Sequence, residues 1–227
     1  MMHSLIVRAL SYLPLQYTQE IKRWYFRLKI CMGTFRSEEE EFDYIDKWIN
    51  TGDWVIDIGA NIGHYTLRMS NLVGKTGHVI ALEPVADSFE LLTSNMAFLK
   101  RRNITLLNAA ASDTCQYINM QIPTDCHNVM NYYQASICRE PTGMGALAIS
   151  IDSLNVPKKV RLVKIDAEGH DYSVITGMTE LIRRDRPILI IESHDDQIVE
   201  YLKPFGYSYS KLSKRSPNRV FMAGSQS

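Results

Sequence analysis

The sequence has 227 residues, 45% of them hydrophobic, which is enough for one domain with a full core. Lys and Arg number 25 and Asp and Glu also number 25, so there is no overall positive field to attract nucleic acid or an anionic membrane. Four cysteines without a C-x-x-C pair argue against a disulfide framework or a zinc motif, and indicate reduced thiols in a cytoplasmic protein.

The N-terminal 36 residues differ in composition from the rest of the chain. Up to residue 33, five basic residues stand against one acid, Glu20, with aromatic residues between them. The first apolar run is too short to span a membrane and has no cleavage pattern. We predict that residues 1–36 form a helical arm and that residues 37–227 form the domain. The arm either packs on the domain or on a second subunit, or contacts a membrane surface or a lipid-linked acceptor.

After the arm, predicted strands and helices alternate. Ser37 and the acids that follow it form a capping-box pattern at the start of a helix that Gly52 ends. The predicted strands are 54–59, 78–84, 103–112, 160–167 and 187–192, and the predicted helices are 64–74, 87–100, 172–184 and 196–206. This alternation predicts a doubly wound, mostly parallel sheet with helices on both faces.

Two segments depart from the alternation. Residues 115–150 contain two predicted strands, 115–123 and 147–154, around a stretch rich in Asn, Tyr and Met. A stretch of this length in a compact domain indicates a lid or a binding loop. Residues 207–213 and 219–224 predict an antiparallel hairpin at the C-terminus.

A glycine turn, in the segment VIDIGANIGHYTL, follows the first predicted strand of the alternation. Gly59 and Gly63 let the backbone approach a ligand that a Cβ would block. A dinucleotide fingerprint, G-x-G-x-x-G, needs further glycines where this chain has Asn61 and His64. Glu83 ends the next strand, where a carboxylate can accept both ribose hydroxyls of NAD or of S-adenosylmethionine. A turn of this kind can also be a plain strand-to-helix connection without a ligand.

Ionisable residues follow the fourth and fifth strands of the alternation. Asp166 and Glu168 end the fourth strand, and Glu192 and His194 end the fifth. The carboxyl ends of parallel strands share one edge of a sheet, so we expect these side chains to converge. Glu168 and His194 are candidates for a general base acting on a hydroxyl. Asp166 and Glu192 are candidate ligands of a divalent cation, with contact to the cofactor amine as the alternative for Asp166.

Six segments together resemble the FkbM family of S-adenosylmethionine-dependent methyltransferases: VIDIGANIGHYTL, VIALEP, LLNAAASD, ISIDSL, VKIDAEGHD and ILIIESH. The resemblance covers roughly residues 38–223. It implies a class I methyltransferase fold, a Rossmann-like sheet that ends in the antiparallel hairpin. It also implies S-adenosylmethionine as cofactor and O-methylation of a sugar, glycan or natural-product hydroxyl. The arm and the 124–145 loop lie outside the pattern, and we expect them to select the acceptor.

The resemblance also assigns candidate site residues. The cofactor-binding candidates are Asp57, Gly59, Ala60, Asn61 and Gly63 for the amino-acid part, Glu83 for the ribose, and Asn108, Ala110, Ser112 and Asp113 for the adenine edge. The catalytic candidates are Asp166, Glu168, Glu192 and His194. Two other functions stay open. One is an NAD-dependent oxidoreductase, against which the missing third glycine and the absent Ser-Tyr-x-x-x-Lys relay count; the other is a non-catalytic cofactor-binding module.

Overall fold

Two β-sheets organise the computed structural model, which describes residues 15–99, 102–123, 136–138, 143–213 and 216–224. The strands are β1 (Trp54–Ile58), β2 (His78–Leu82), β3 (Ile104–Leu107), β4 (Ala110–Ala111), β5 (Gln116–Gln121), β6 (Ser136–Cys138), β7 (Met144–Ile149), β8 (Val160–Ile165), β9 (Ile188–Ile191), β10 (Tyr207–Ser210) and β11 (Arg219–Ala223). The helices are α1 (Leu15–Cys31), α2 (Glu40–Tyr44), α3 (His64–Val73), α4 (Ala86–Phe98), α5 (Asp171–Thr176), α6 (Thr179–Asp185) and α7 (Asp196–Leu202). Short 3₁₀ turns cover Ile45–Lys47, Asp152–Leu154 and Lys203–Phe205.

The main sheet has seven strands in the order β10-β11-β9-β8-β1-β2-β3. The pairs from β9 to β3 are parallel, whereas β11 runs antiparallel to both of its neighbours. The central strands are almost entirely apolar and buried, as expected for strands covered by helices on both faces. The doubly wound sheet and its antiparallel C-terminal strands, predicted from the sequence, are confirmed.

Strand register places charged residues side by side inside this apolar sheet. Asp57 in β1 lies opposite Lys164 in β8 and opposite Ala81 in β2. Both charged side chains are buried, Asp57 fully and Lys164 almost fully. Buried charges are rare unless they are paired, so this register marks the start of a functional edge.

The second sheet has four strands in the order β4-β7-β5-β6. It corrects the predicted strand 103–112, because the chain leaves the main sheet after Leu107 and enters the second sheet at Ala110. Asn108 causes the turn: its Nδ2 donates to the carbonyl oxygens of Glu83 at 2.8 Å and Pro84 at 3.2 Å. The second sheet has a small core of its own, made of Val85, Ala110, Ile118, Met120, Ala146 and Ala148.

Two predicted helices differ from the observed ones. The predicted helix 172–184 breaks into α5 and α6 at Gly177, where a Cβ would lie 1.9 Å from the carbonyl oxygen of Ser112. The Asp152 carboxylate then accepts the first free N–H groups of α6, at 2.9 Å from Glu180 and Leu181.

The predicted capping box at Ser37 is wrong. The helix begins at Glu40, Glu39 precedes it, and the Ser37 hydroxyl accepts the N–H of Glu39 at 3.2 Å instead. The helix also ends earlier than predicted, at Tyr44, and a 3₁₀ turn continues the chain.

Of the predicted arm, the structure describes residues 15–36, of which Leu15–Cys31 form helix α1 and residues 32–36 are not helical. Helix α1 packs on α4, and Arg23 makes an ion pair with Glu90 of that helix. Residues 1–14 of the arm, and most of the predicted binding loop 124–145, lie outside the described residues. No helix in the described ranges combines the length and apolar character needed to cross a bilayer.

Candidate functional site

A cavity of ≈ 270 Å³ opens at the carboxyl edge of the main sheet. In open α/β sheets this edge is where ligands bind. Seven of the predicted site residues line the cavity: Gly59, Asn61, Glu83, Ala110, Asp166, Glu168 and Glu192. The structure therefore brings the cofactor candidates and the acidic candidates of the sequence into one cavity.

The glycine turn is shaped by contacts within the protein. Gly59 has φ +73°, and a Cβ there would lie 1.9 Å from the carbonyl oxygen of Asp166. Gly63 has φ +97°, and a Cβ there would meet Leu92 at 2.7 Å and Met96 at 2.9 Å. Gly59 is therefore needed for the approach of β1 to the loop after β8, and Gly63 for the close packing of the turn on α4. Both contacts lie within the protein, whereas the sequence pattern indicated a close approach to a ligand.

Asn61 and Glu83 form the centre of the turn. Asn61 has φ +49°, and its N–H donates to Oε2 of Glu83 at 2.8 Å, while the N–H of Val85 donates to Oε1 at 2.9 Å. Burial raises the pKa of Glu83 to about 7, although these two N–H groups lower it. Each carboxylate oxygen keeps a lone pair for a further donor, so the fixed carboxylate can still accept a pair of hydroxyls.

Two buried charges, Lys164 and Asp57, lie beside the partly exposed Asp166 of the cavity wall. Lys164 Nζ is 2.9 Å from Oδ2 of Asp166 and 5.0 Å from the centre of the Tyr65 ring. Burial opposes the charge on Lys164, but the carboxylates of Asp166 and Asp57 raise its pKa. Burial raises the pKa of Asp57, which Lys164 and the Thr66 hydroxyl, donating at 2.6 Å, partly lower.

One polar atom of this group has no partner. Asp57 Oδ1 is buried and accepts no hydrogen bond from any described residue. Ala60 is also buried, in the core beside α4, and neither side chain lines the cavity. Asp57 and Ala60 therefore support the turn on the side away from the cavity. The lone pairs of Asp57 Oδ1 accept no hydrogen bond from a described residue and are free for another donor.

At the opposite wall, the predicted adenine edge is only partly exposed to the cavity. Ala109, Ala110 and Ala111 line it, whereas Asn108 points back to hold the loop after β2. Ser112 is buried; its hydroxyl lies 2.9 Å from Nε2 of His170 and donates to Asp113 at 3.0 Å. Asp113 itself is exposed.

His170 lines the cavity, which differs from the solvent-facing position that its place near a helix N-terminus indicates. Burial lowers the pKa of His170, against the effect of Asp113. The contact between His170 and Ser112 joins two segments that are distant in the sequence, so no local pattern could have predicted it.

Carboxylates dominate the remaining wall. Partial burial raises the pKa of Glu168, and the Asp166 charge raises it further. Burial and the Asp166 charge raise the pKa of Glu192 to about 7. Glu168 also has φ +47°, a left-handed backbone that non-glycine residues seldom adopt. Strain of this kind is concentrated at functional sites.

A fourth acid, Glu39, also lines the cavity and was missed by the sequence analysis. Its Oε2 accepts the hydroxyl of Tyr65 at 2.9 Å and Nδ2 of Asn218 at 3.0 Å. The run of four glutamates at 38–41 was the available signal, because a helix needs no more than one or two acids in its first turn. Glu41 of the same run is completely buried.

His194 is placed differently from the other catalytic candidates, and the candidate cation ligands are not arranged as a metal site. His194 is exposed, its carbonyl accepts Arg219 at 3.1 Å, and it is not among the described residues that line the cavity. Asp166, one of the two candidate cation ligands, pairs with Lys164. Among the described residues, no group of three or more His, Cys, Asp or Glu side chains is arranged to hold a metal ion.

The cavity fits S-adenosylmethionine in three respects. The fixed Glu83 carboxylate suits a ribose diol, and Ile58, Val85 and the alanines after β3 give an apolar surface suited to a purine. The acids of the opposite wall suit a cationic sulfonium. The unpaired Asp57 Oδ1 marks a further acceptor near the turn.

Comparison with known proteins agrees with this fit. The model of the FkbM methyltransferase domain matches residues 57–209. The hexuronic acid methyltransferase AglP of Haloferax volcanii is 25% identical over 195 residues, which cover 83% of this chain and 77% of that protein.

Solved structures show the same fold. The FkbM methyltransferase of Methylobacillus flagellatus KT has a TM-score of 0.55 and 15% identity; the match covers 75% of this chain but only 43% of that one. The precorrin-6y C5,15-methyltransferase of Geobacter metallireducens GS-15 has a TM-score of 0.51 and 15% identity, with 84% of this chain and 90% of that one covered. The family match extends from the glycine turn to β10, and the chain belongs to the FkbM methyltransferase family.

Proposed function

We propose that this protein transfers the methyl group of S-adenosylmethionine to a hydroxyl of a sugar, glycan or natural-product small molecule. The observation that carries the proposal is the shared cavity: Glu83 lies on one side and acids with raised pKa values, Glu168 and Glu192, lie on the other. Membership of the FkbM family supports methyl transfer and makes S-adenosylmethionine the cofactor.

The protein's own part in this reaction is to hold the reactants and to accept a proton. When bound, the cofactor supplies a methyl group on a sulfonium, a leaving group that keeps the electron pair of the broken C–S bond. The acceptor oxygen forms the new C–O bond, and its proton must pass to a base within hydrogen-bond reach. Glu192 is our candidate for this base, because a pKa of about 7 is matched to proton transfer at neutral pH.

Glu168 is the second candidate for the base. It also lines the cavity, and its pKa is raised for the same two reasons, partial burial and the Asp166 charge. His194 has less support, because the described structure does not bring it to the cavity. Asp166 forms an ion pair with Lys164, so we propose that its part in catalysis is to fix the position of the acidic side chains of the cavity.

The similarity to AglP, a hexuronic acid methyltransferase, supports a sugar as the acceptor. Besides Glu83, four acids line the cavity and add a constraint: Glu39, Asp166, Glu168 and Glu192. Like charges repel in a partly buried site, so an acceptor with a free carboxylate must hold that group away from this wall. We therefore expect the acceptor to present an uncharged hydroxyl to the cavity, and a lipid-linked sugar meets this condition.

Ligand binding and methyl transfer test the proposal separately. S-adenosylmethionine is expected to raise the thermal unfolding midpoint, because a ligand that binds only the folded state stabilises it, whereas NAD is expected to have no effect. Incubation with S-adenosylmethionine and a panel of neutral sugars, glucuronic acid and sugar phospholipids, followed by mass spectrometry, is expected to show addition of one methyl group. A midpoint raised by NAD alone would make the protein an oxidoreductase. Binding of S-adenosylmethionine without any methylated product across the panel would favour a non-catalytic module.

A further inference from the structure

Helix α1 presents large apolar side chains to the outside of the molecule. Six of them are exposed along one stripe of the helix and the residue after it. They are Tyr17, Ile21, Trp24, Tyr25, Leu28 and Met32. Their spacing of three and four residues puts them on the same side of a helix, which we call the outer face of α1. Trp24 is 70% exposed and Leu28 is 59% exposed, so these are not side chains at the margin of the core.

The opposite side of α1 already anchors it to the domain. Arg23 pairs with Glu90, and Arg27 donates to the Ser94 hydroxyl at 3.3 Å. Between them, Phe26 packs on the buried cluster that contains Phe35. The polarity differs from that of an ordinary surface helix, because two guanidinium groups face the protein beside Phe26 while Tyr17, Trp24 and Tyr25 face away from it. Packing on this domain therefore does not explain the outer face.

Charge identifies what covers it. Glu20, the single acid of α1, pairs with Arg23 of the same helix, so no acid on the helix is left unpaired. Arg23 and Arg27 face the domain and Lys22 lies near Asp87, whereas Lys29 borders the stripe, with its Nζ 5.6 Å from the centre of the Tyr25 ring. The 14 residues before α1 add Leu, Ile, Val, Met and Tyr, one Arg and no acid. Aromatic and aliphatic residues on one face, flanked by an excess of Lys and Arg, are the composition of helices that lie in a bilayer interface. Trp and Tyr favour the same depth.

We propose that the outer face of α1 is a docking surface for an anionic lipid bilayer. The helix lies parallel to the bilayer, with Trp24 and Leu28 below the headgroups and Lys29 beside the lipid phosphates.

The position of α1 gives this docking a consequence for the site. The chain that leaves α1 runs past Phe35, which stacks on His64 at 4.3 Å, and reaches Glu39 in the wall of the cavity. A smaller cavity of ≈ 80 Å³ is lined both by Gln19 of α1 and by Asn61 of the glycine turn. Docking through α1 would thus hold the cavity close to the headgroups. The further idea that a lipid-linked acceptor is presented there rests on the proposed function.

Sedimentation of the full chain with vesicles tests the docking itself. Vesicles of phosphatidylglycerol and phosphatidylcholine are compared with vesicles of phosphatidylcholine alone. The double variant Trp24→Ser/Leu28→Ser is expected to lower the partition coefficient on the anionic vesicles by at least about tenfold, the scale for losing one fully buried large apolar side chain. A matched control is Tyr117→Ser/Leu147→Ser, whose side chains are 75% and 52% exposed on the second sheet; its partitioning is expected to equal that of the parent.

Each outcome bears on the proposal. Equal partitioning of the two double variants, or equal partitioning of the parent on both kinds of vesicle, would overturn it. If Trp24→Ser/Leu28→Ser instead converts a dimer to a monomer in sedimentation velocity without vesicles, a second copy covers the face and the proposal is wrong. If the double variant has a lower unfolding midpoint than the control, Ile21→Ser, on the same stripe and with no change of charge, repeats the test and is expected to lower the partition coefficient as well. No step of this assay involves methyl transfer, so failure of the proposed activity leaves the docking result intact.

Discussion

Lys164 is the buried cation of the site. Its removal should destabilise the fold more than removal of any surface lysine in the described part of the chain. Lys164 is 3% exposed, and Nζ lies 2.9 Å from Asp166 and beside the fully buried Asp57. The variant Lys164→Met keeps the length and most of the volume of the side chain but leaves two carboxylates without their cation. The control is the corresponding change at an exposed cation of the same strand, Arg161→Met.

The size of the effect follows from the burial of the partners. Breaking a buried ion pair by removing one partner costs about 3–5 kcal/mol, because the other charge stays behind in a medium of low dielectric. Asp166 is 27% exposed and can regain some water, so we expect the lower end of that range, about 3 kcal/mol. For a chain of this size each kcal/mol lowers Tm by about 2–4 °C, which gives a fall of about 6–12 °C.

The dependence on pH provides a second check. Burial raises the pKa of Asp57 above its ordinary value, so its contribution favours the folded state below that value and is lost as the pH rises through the raised pKa. Without Lys164, which lowers the pKa of Asp57, that loss is larger. Chemical denaturation of both variants between acid and neutral pH should therefore show the gap between Lys164→Met and the parent widening as the pH rises. A gap of less than about 0.5 kcal/mol from Arg161→Met, or one that is constant with pH, would refute the argument.

Three further predictions concern binding and turnover. Glu83→Ala should weaken binding of S-adenosylmethionine by about 1–3 kcal/mol, because a hydrogen-bonded carboxylate is lost; calorimetry with an unchanged dissociation constant would place the ribose elsewhere. Glu192→Gln should slow single-turnover methyl transfer by about 10²–10⁴-fold with little change in cofactor affinity. A larger loss for Glu168→Gln would move the base to that residue. In the parent, the rate should rise with pH through about 7, where Glu192 loses its proton, and the rate of Glu192→Gln should lack this rise.

The sequence predicted the main sheet well, because that sheet depends on local patterns. The runs that form β1, β2, β8 and β9 are apolar and bounded by turn residues, and the helices between them have apolar residues at helical spacing. The convergence of Asp166, Glu168 and Glu192 also followed, since strand ends of a parallel sheet share one edge. His194 was expected to converge with them, but it is not among the described residues that line the cavity.

The features that the sequence could not predict depend on contacts between distant segments. Residues 103–112 have the composition of one strand, but the Asn108 amide bonds the loop after β2 and turns the chain into another sheet. Helix 172–184 breaks because Gly177 lies against the Ser112 backbone. Glu39 enters the cavity from a segment whose acids have the pattern of a helix start. Each case is a tertiary contact that overrides a local preference.

The second sheet has a bearing on how relatives of this protein can diverge. All seven strands of the main sheet come from outside residues 110–149, and the second sheet has a separate core. Yet Ala110, Ala111 and Met120 form part of the cavity wall. Residues 110–149 can therefore be exchanged as one unit. A graft of the corresponding segment from another FkbM protein would change the shape of the cavity wall, while the carboxylates at the ends of the main-sheet strands would keep their positions. New acceptor preferences can then arise by exchange of one contiguous stretch of gene, provided that Ala110 and Ala111, which line the surface suited to the purine of the methyl donor, are kept.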